Sequence, residues 1–299
     1  MVTRKQFWRN IRKPFGVLVK PILKVGFIGA AYRHLRFRRL YSQPMVKTPF
    51  GFLFTGNRGM AEGRFEPTET RFVTDMLTHV DWLVNIGANI GYYCCHALAA
   101  GRPVVAFEPV NHNLLALFRN LQANNWESRA EVFPIALGAE VGIAEIYGGG
   151  TSASLLKGWA KADTVAETTP CNTLDNCLGA RMSERPALVI MDTEGFEFEV
   201  LRGAEEILRQ AQKHVWMIEI SLFGHRLEVN PHYVDTFRMF EEAGYACWCL
   251  GGTLQRVTIS DVRAAVAEGK ERFGNVNYVF AAAGRFAVSA DGTRLEPLA

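Results

Sequence analysis

The stretch from Trp82 to Glu108 constrains the fold of this chain more than any other part of its sequence. An apolar run, Trp82–Ile86, leads into a turn that contains Gly87 and Gly91, and a second apolar run ends at Glu108. Strand, glycine turn, helix and strand in this order form the unit from which parallel sheets are built. An acid at the end of the second strand can accept hydrogen bonds from both hydroxyls of a ribose. The stretch therefore predicts a nucleoside site at the carboxyl edge of a parallel sheet.

The spacing of the glycines distinguishes between two nucleoside ligands. A dinucleotide site has the pattern Gly-x-Gly-x-x-Gly and holds a pyrophosphate at a helix N-terminus. Here three residues separate Gly87 from Gly91, and Asn89 stands where the second glycine of that pattern would be. A pyrophosphate therefore fits poorly, whereas S-adenosylmethionine (SAM), which has an adenosine and no phosphate, fits better. An NAD-dependent oxidoreductase remains the alternative enzyme.

Strand-like and helix-like patterns alternate from residue 81 onward. The predicted strands cover 82–86, 103–107, 130–135, 186–191, 214–220, 245–250 and 276–282. Predicted helices follow the first five of them, at 91–100, 111–124, 174–180, 197–209 and 231–243. Such alternation is typical of an α/β fold with a doubly wound, mostly parallel sheet, here of seven strands. The strand at 276–282 is predicted to lie antiparallel at an edge, because only a short helical pattern at 260–268 precedes it.

These patterns divide the chain into parts with different characters. Residues 1–45 form a basic amphipathic extension, and residues 46–80 contain a short hairpin and a helix that leads into the fold. Residues 81–284 form the α/β domain, and residues 285–299 form a C-terminal tail. The polar, glycine-rich segment 148–154 interrupts the alternation and is interpreted either as a lid over a substrate or as a surface loop.

The charges of the chain are divided unevenly. No Asp or Glu precedes Glu62, so residues 1–61 carry a net charge of +13 and the remainder carries −10. Apolar residues recur at helical spacing over residues 1–41, which predicts an amphipathic helix broken at Pro14 and Pro21. Such a helix can lie on an anionic membrane surface. The alternative is a helix that packs on the domain or on another subunit of a homo-oligomer. Nucleic acid is not the expected partner, because no nucleic-acid-binding module accompanies the charge.

The six cysteines are interpreted as reduced thiols. Neighbours such as Cys94 and Cys95 are poor candidates for a disulfide, and Cys247 and Cys249 lack the further His or Cys residues that would complete a zinc site. No metal site is therefore predicted. The expected location is the cytoplasm, peripheral on the inner face of the membrane where the basic extension binds lipid.

A second group of acids follows the strand predicted at 186–191. Asp192, Glu194 and Glu197 lie within six residues at the carboxyl end of a strand, where α/β sheets place their chemistry. Asp192 and Glu194 are predicted to hold the SAM amino group, to orient a substrate hydroxyl or to take its proton. Glu197 is interpreted as an acid that complements a helix N-terminus. Glu219 ends the next strand inside an apolar run and needs a partner, so it is predicted to share the site with Asp192.

Taken together, these motifs resemble the FkbM family of SAM-dependent methyltransferases over residues 66–283. The resemblance rests on an ordered set of segments: Asn85–Gly91, Phe107–Pro109, Asn113, Asn120, Asn124, Ala136–Gly138, Thr173–Asp175 and Asp192–Glu197. It implies a Rossmann-like class I methyltransferase that uses SAM and acts on hydroxyl oxygens. The segment Asp192–Glu197 is the most specific of the set, because SAM enzymes in general do not share it.

The resemblance also implies a role for individual residues. In the turn, Gly87, Ala88, Asn89 and Gly91 are expected to line the methionine part of SAM. Glu108 is expected at the ribose, while Asp192 and Glu194 face the transferred methyl group. The predicted cofactor-binding residues are Asn85, Gly87, Ala88, Asn89, Gly91, Glu108, Asn113, Ala136, Leu137 and Asp192, of which Asn113, Ala136 and Leu137 lie near the adenine. The predicted catalytic residues are Asp192, Glu194 and Glu219.

Two positions depart from the family pattern. Asn85 stands where an Asp is usual, so one expected partner of the SAM amino group is missing. Ile190 stands where a Lys is common, two residues before Asp192. The prediction is a SAM-dependent O-methyltransferase whose acceptor is a hydroxyl of a sugar in a glycan, a glycolipid or a natural product. The missing acid supports a non-enzymatic alternative, a catalytically degenerate methyltransferase fold that acts as a membrane-associated binding protein.

Overall fold

The computed structural model describes residues 44–149, 153–224 and 228–298 of the protein. The amphipathic segment predicted over residues 1–41 lies outside these ranges, as does the centre of the predicted loop, residues 150–152. The strands of the described chain are β1 (Val46–Lys47), β2 (Leu53–Phe54), β3 (Trp82–Ile86), β4 (Val104–Phe107), β5 (Ala130–Phe133), β6 (Ala136–Leu137), β7 (Gly142–Tyr147), β8 (Val165–Asn172), β9 (Ala187–Met191), β10 (Val215–Glu219), β11 (Tyr245–Leu250), β12 (Leu254–Val257), β13 (Asn277–Ala282), β14 (Phe286–Val288) and β15 (Leu295–Pro297). Its α-helices are α1 (Arg58–Ala61), α2 (Pro67–Met76), α3 (Tyr92–Ala99), α4 (Asn111–Ala123), α5 (Leu174–Met182), α6 (Glu197–Arg202), α7 (Glu205–Arg209), α8 (Tyr233–Glu242) and α9 (Ile259–Glu268).

The central sheet contains eight of these strands, in the spatial order β12-β11-β13-β10-β9-β3-β4-β5. The strands from β10 to β5 run parallel to one another. Strand β13 pairs antiparallel with both β10 and β11, and β12 pairs antiparallel with β11. The predicted α/β fold with a large, mostly parallel sheet is confirmed.

Two details of the predicted sheet are wrong. Strand β12 is an eighth strand, which follows β11 through a turn at Gly251 and Gly252. Strand β13 is antiparallel as predicted, but it lies inside the sheet and not at an edge. The reason is burial, since the residues from Tyr278 to Ala282 are all buried and would expose apolar surface and unpaired backbone at an edge.

Alternate side chains of the central strands pack into two apolar cores, one on each face of the sheet. Val84 and Ile86 of β3 belong to the core covered by α5 to α9, whereas Leu83 belongs to the core covered by α2, α3 and α4. A strand with helices on both faces must be apolar at every position, because successive side chains point to opposite faces. The continuous apolar runs in the sequence therefore predicted these strands correctly.

The hairpin of β1 and β2 is fastened to α4 by two asparagines. The buried side chain of Asn120 accepts a hydrogen bond from the Thr55 N–H at 2.7 Å and donates to the carbonyl oxygens of Thr55 and Ile90. Asn124 bonds to both backbone groups of Leu53, at 2.8 and 2.7 Å. These two members of the sequence motif set therefore have a structural role.

A smaller sheet with the order β6-β8-β7 was not predicted from the sequence. Strands β7 and β8 form a hairpin, and the polar segment 148–154 belongs to the connection between them. The helix predicted over 197–209 consists of α6 and α7. It is interrupted at Gly203, where a Cβ would lie 2.0 Å from the backbone oxygen of Gly138.

Candidate active site

A cleft opens at the carboxyl ends of β3, β4 and β9. It encloses about 610 Å³ of empty space, including its mouth. Its lining includes Gly87 and Asn89 from the turn after β3, Glu108 after β4, and Asp192 and Glu194 after β9. The cleft thus brings together the glycine turn and both groups of acids.

Gly87 is required by a contact between two loops of the protein. Its φ is +76°, and a Cβ at this position would lie 1.9 Å from the backbone oxygen of Asp192. At Gly91, where φ is +83°, a Cβ would lie 3.1 Å from Leu117 of α4. The spacing of these two glycines in the sequence predicts the close approach of a ligand. Both make room for protein atoms, and Gly87 also lines the cleft.

The carboxylate of Glu108 joins the glycine turn to the tip of β4. Its Oε2 accepts a hydrogen bond from the Asn89 N–H at 2.7 Å, and its Oε1 accepts from the Val110 N–H at 2.9 Å and from Asn113 Nδ2 at 3.1 Å. Asn89 makes this bond from a left-handed conformation with φ of +51°. Burial raises the pKa of Glu108 to about 7, although the three donors oppose the shift.

Three of the predicted cofactor residues do not line the cleft. Asn85 is buried in β3, and its Nδ2 donates to Cys94 Sγ of α3 at 3.4 Å. Ala88 packs into the apolar core behind the turn, and Gly91 is the residue before α3. The amide that replaces the usual Asp is therefore turned toward a helix and away from the cleft.

One wall of the cleft is apolar and suits a flat base. Ala136 and Leu137 of β6 form part of it, as the sequence analysis expected, together with Ile135 and Ile146, which it missed. Asn113 also lines the cleft, where its amide donates to the carboxylate at the tip of β4. Ile146 lies in β7, a strand that the sequence patterns did not predict, and its place in the cleft was therefore missed.

Asp192 follows the carboxyl end of β9, and the acidic side chains of Glu194 and Glu219 lie near it. The residue is exposed to the open cleft, although protein atoms surround its carboxyl group on the other sides. Burial, followed by the charges of Glu219 and Glu194, raises the pKa of Asp192 well above its usual value. The mouth of the cleft leaves Asp192 exposed to solvent. We therefore attribute the raised pKa of Asp192 mainly to the neighbouring charges and less to burial. Asp192 is therefore a stronger base than an ordinary aspartate.

Glu194 is held by two side chains from the β7–β8 connection. The indole Nε1–H of Trp159 donates to Glu194 Oε2 at 2.8 Å, and Ser154 Oγ donates to the Glu194 carbonyl oxygen at 2.8 Å. Glu194 itself has φ of +54°, a left-handed conformation that is uncommon for a residue with a side chain. Sequence reasoning missed Trp159 and Ser154, because an aromatic residue in a loop gives no sign of its partner.

Glu197 supports the loop that carries the other acids. Its Oε1 accepts hydrogen bonds from the N–H and hydroxyl of Thr193, at 3.0 and 2.9 Å, and from the Gly195 N–H at 3.0 Å. It is the first residue of α6, in agreement with its interpretation as a helix N-terminal acid. Glu197 therefore fixes the backbone between Asp192 and α6.

Glu219 lines a second, smaller cavity beside the cleft. This cavity encloses about 330 Å³ of empty space, and Trp159, Glu197 and Phe223 also line it. Burial, followed by the charges of Glu194 and Glu197, raises the pKa of Glu219 to about 7. The three acids predicted to be catalytic thus lie near one another, with two in the cleft and one in the adjacent cavity.

Two features are absent from the residues that the structure describes. Among residues 44–149, 153–224 and 228–298, no group of three or more His, Cys, Asp or Glu side chains is arranged to hold a metal ion. In this part of the chain, no helix combines the length and apolar character needed to cross a bilayer.

Residues 85–247 match the sequence profile of the Methyltransferase FkbM domain, which is more than half of the chain. Among solved structures, the methyltransferase FkbM from Methylobacillus flagellatus KT is 17% identical, with 67% of this chain and 43% of that chain aligned and a TM-score of 0.41. The magnesium protoporphyrin IX methyltransferase from Synechocystis, determined with bound SAM, is 11% identical over 89% of this chain and 95% of its own, with a TM-score of 0.41. An O-methyltransferase from Bacillus cereus in complex with S-adenosylhomocysteine (SAH) is 13% identical over 72% and 80%, with a TM-score of 0.39. None of the curated proteins matches this sequence.

The α/β fold, the cleft at its carboxyl edge and the profile match define the class of protein, a SAM-dependent methyltransferase. More specifically, the chain belongs to the FkbM methyltransferase family. We base this assignment on the profile match, because the structural alignments are distant and this chain spans only 43% of the Methylobacillus protein.

The residues of the cleft fit SAM. In the described chain, Glu108 Oε2 accepts one hydrogen bond, from Asn89, and therefore keeps a lone pair for a ribose hydroxyl. The apolar wall at Leu137 suits the adenine, and the carboxylates of Asp192 and Glu194 offer negative charge to the sulfonium and amino groups. The sequence patterns left two cofactors to consider, SAM and NAD. Membership of the FkbM methyltransferase family identifies the cofactor as SAM.

Proposed function

We propose that this methyltransferase modifies a hydroxyl oxygen of a sugar, in a glycan, a glycolipid or a natural product. The observation that carries the proposal is the placement of two acids after the neighbouring strands β9 and β10, with Asp192 in the cleft and Glu219 in the adjacent cavity. The two carboxyl groups are close enough for the charge of Glu219 to raise the pKa of Asp192. Carboxylates with raised pKa values are suited to take a proton from an attacking hydroxyl.

The proposed division of roles follows from the lining of the two cavities. The glycine turn, including Gly87 and Asn89, contacts the methionine part of the cofactor, and Glu108 binds the ribose. Asp192 and Glu194 face the methyl group, and Glu219 lies on the acceptor side. SAM supplies an electrophilic methyl group. The acceptor oxygen gives its proton to a carboxylate oxygen of Asp192 as it forms its bond to the methyl carbon, whose bond to sulfur breaks and leaves neutral SAH. Glu219 orients the acceptor hydroxyl.

Positioning supplies most of the catalysis in this proposal. Methyl transfer is an in-line displacement, so holding the acceptor oxygen in the reactive geometry lowers the barrier to the reaction considerably. Glu197 contributes by holding the Thr193 and Gly195 N–H groups, which fixes the loop on which both acids lie. The loop therefore needs little rearrangement during the reaction.

Calorimetry and methyl transfer test the proposal together. We expect the full-length protein to bind SAM and SAH, and to transfer labelled methyl groups from SAM to sugar hydroxyls in an extract of surface glycans. Asp192→Asn should retain cofactor binding and lose transfer. Transfer to nitrogen or carbon acceptors in place of hydroxyl oxygens would overturn the proposal, as would undiminished transfer by Asp192→Asn. The degenerate, non-enzymatic alternative predicts instead that the parent protein transfers no methyl group and that Asp192→Ala leaves the cellular phenotype intact.

The acceptor class is tested in cells that produce the protein. Mass spectrometry of glycans and glycolipids, with and without the gene, should show the loss of one methyl increment from a sugar. An increment confined to peptides or lipids without sugars would contradict the carbohydrate acceptor.

We also propose that residues 1–41 bring the enzyme to the anionic inner face of the membrane. The support is the net charge of +13 over residues 1–61, with apolar residues at helical spacing. Binding of the full chain to vesicles that contain anionic lipid should be lost when residues 1–41 are deleted and should weaken with salt. Equal binding by the shortened chain would contradict the membrane role, and a change in oligomeric state on deletion would favour subunit contacts instead.

A further inference from the structure

Trp159 is clamped between two glycines from different loops. The six-membered part of its ring lies where a Cβ on Gly195 would approach to 2.5 Å, and a Cβ on Gly224 would also approach to 2.5 Å. Gly195 follows β9 and Gly224 follows β10, so the indole fills the space between the loops after two neighbouring strands. Only 6% of the Trp159 surface is exposed. The loops that carry Gly195 and Gly224 therefore hold the indole ring of Trp159 in one position.

The polar edge of this clamped ring is directed at an acid of the cleft. The Trp159 Nε1–H lies 2.8 Å from Glu194 Oε2, while Ser154 in the same connection bonds the Glu194 backbone at 2.8 Å. Ala153, Ser154 and Leu155 form part of the wall of the cofactor cleft. Residues 153–159 of the β7–β8 connection thus contribute to the wall of the cleft and hold Glu194 at two points.

From this geometry we propose that Trp159 is a positioning residue, which fixes the Glu194 carboxylate beside the part of the cleft that receives the sulfonium. The inference rests on the proposed role of Glu194 at the transferred methyl group. A hydrogen bond from a neutral donor to a carboxylate is charge-assisted, and it holds the charge in place without neutralising it.

The relative affinities for SAM and SAH distinguish a role of Trp159 in positioning Glu194 from a role in supporting the wall of the cleft. SAM carries a positive charge on sulfur, whereas SAH has a neutral thioether and is otherwise nearly the same molecule. A carboxylate held near the sulfur therefore strengthens binding of SAM relative to SAH. Damage to the wall of the cleft would weaken both ligands alike and leave the ratio of their dissociation constants unchanged.

Trp159→Phe is the direct test, because it keeps an aromatic ring between Gly195 and Gly224 and removes the Nε1–H donor. By calorimetry, we expect the preference for SAM over SAH to fall about fivefold, which corresponds to a shift of the carboxylate from about 5 to about 7 Å from the sulfur at an effective dielectric constant of about 20. Trp126→Phe is the matched control. Trp126 packs against Phe52 outside the cleft, so its substitution should leave the preference unchanged.

Two further variants keep the inference falsifiable if Trp159→Phe folds poorly. Gly224→Ala leaves the tryptophan in the chain but displaces its ring, and it should lower the preference for SAM in the same way. In a Glu194→Gln background, neither change should have any further effect on the preference, because the charge that Trp159 positions is gone. An unchanged preference in Trp159→Phe or Gly224→Ala overturns the positioning role alone. A parent protein with no preference for SAM overturns the role of Glu194 and, with it, the inference.

Discussion

The backbone N–H of Asn89 and the carboxylate of Glu108 are joined by a hydrogen bond of 2.7 Å, which connects the turn after β3 to the tip of β4. The side chain proposed to bind the ribose therefore also shapes the turn proposed to contact the methionine part of SAM. Its other oxygen is bonded to Val110 and Asn113, so the carboxylate has little freedom to move. One acid thus organises both halves of the cofactor cleft.

Glu108→Gln should weaken SAH binding by about tenfold or more. The amide offers one carbonyl oxygen in place of two carboxylate oxygens, and a hydrogen bond to a charged group is worth about 1.5–3 kcal/mol. Calorimetry provides the measurement. Glu131→Gln is the matched control, because Glu131 pairs with Arg181 outside the cleft and its substitution should leave the affinity unchanged. Equal affinities for Glu108→Gln and the parent would contradict the ribose assignment.

The affinity for SAH should increase as the pH rises through about 7. The pKa of Glu108 is raised to about 7, so its carboxyl group is largely protonated below that pH and accepts hydrogen bonds less well. Titration calorimetry at a series of pH values measures the effect. The same series with Glu108→Gln should show a flatter profile, and an equally steep profile in that variant would assign the titration to another group.

Glu219→Gln should stabilise the cofactor-free protein at about pH 8 but not at about pH 4. The pKa of Glu219 is 4.5 in an ordinary environment and about 7 in the fold, so between these values the folded protein keeps a proton that the unfolded chain has released. The contribution of Glu219 to the free energy of unfolding is therefore fully present below pH 4.5 and is lost as the pH rises through about 7. Removing the charge should raise the free energy of unfolding at the higher pH by about 1–2 kcal/mol, with allowance for partial exposure. Chemical denaturation at both pH values measures it, and a loss of stability at pH 8 would contradict the sign.

Gly87→Ala should destabilise the fold by about 3 kcal/mol or more, because the added Cβ meets the Asp192 backbone oxygen in a left-handed conformation. Gly101→Ala is the matched control. Its φ is +83°, close to that of Gly87, but a Cβ there meets nothing within 4 Å. It should cost only the conformational strain, about 1 kcal/mol. Urea denaturation distinguishes the two, and equal losses would mean that strain and not crowding decides the residue at 87.

The sequence was most informative where structure depends on neighbours along the chain. The apolar runs of β3, β4 and β9 had to be buried on both faces, so they predicted parallel strands with helices on each side. The acids at their carboxyl ends were then expected to meet, and Glu108, Asp192 and Glu194 all line one cleft.

Features that depend on distant parts of the chain were missed. The bond between Trp159 and Glu194 joins residues 35 positions apart, and the side chain of Asn85 turns toward Cys94 because of how α3 packs. Strand β13 looked like an edge strand because no long helix precedes it, yet its pairing partners lie on both sides. Local patterns contain no information about such contacts, which arise only when the elements pack.

The internal position of β13 has a consequence for the synthesis of the protein. In the described sheet, strands β11 and β12 join the other strands through β13, which follows both of them in the chain. While the nascent chain emerges, β10 and β11 keep unpaired backbone on the sides that face β13 until β13 has left the ribosome. Such unpaired strand edges promote association between incomplete chains. Premature termination a short distance before residue 277 would therefore yield a product prone to aggregate, with the cleft residues already present in the chain.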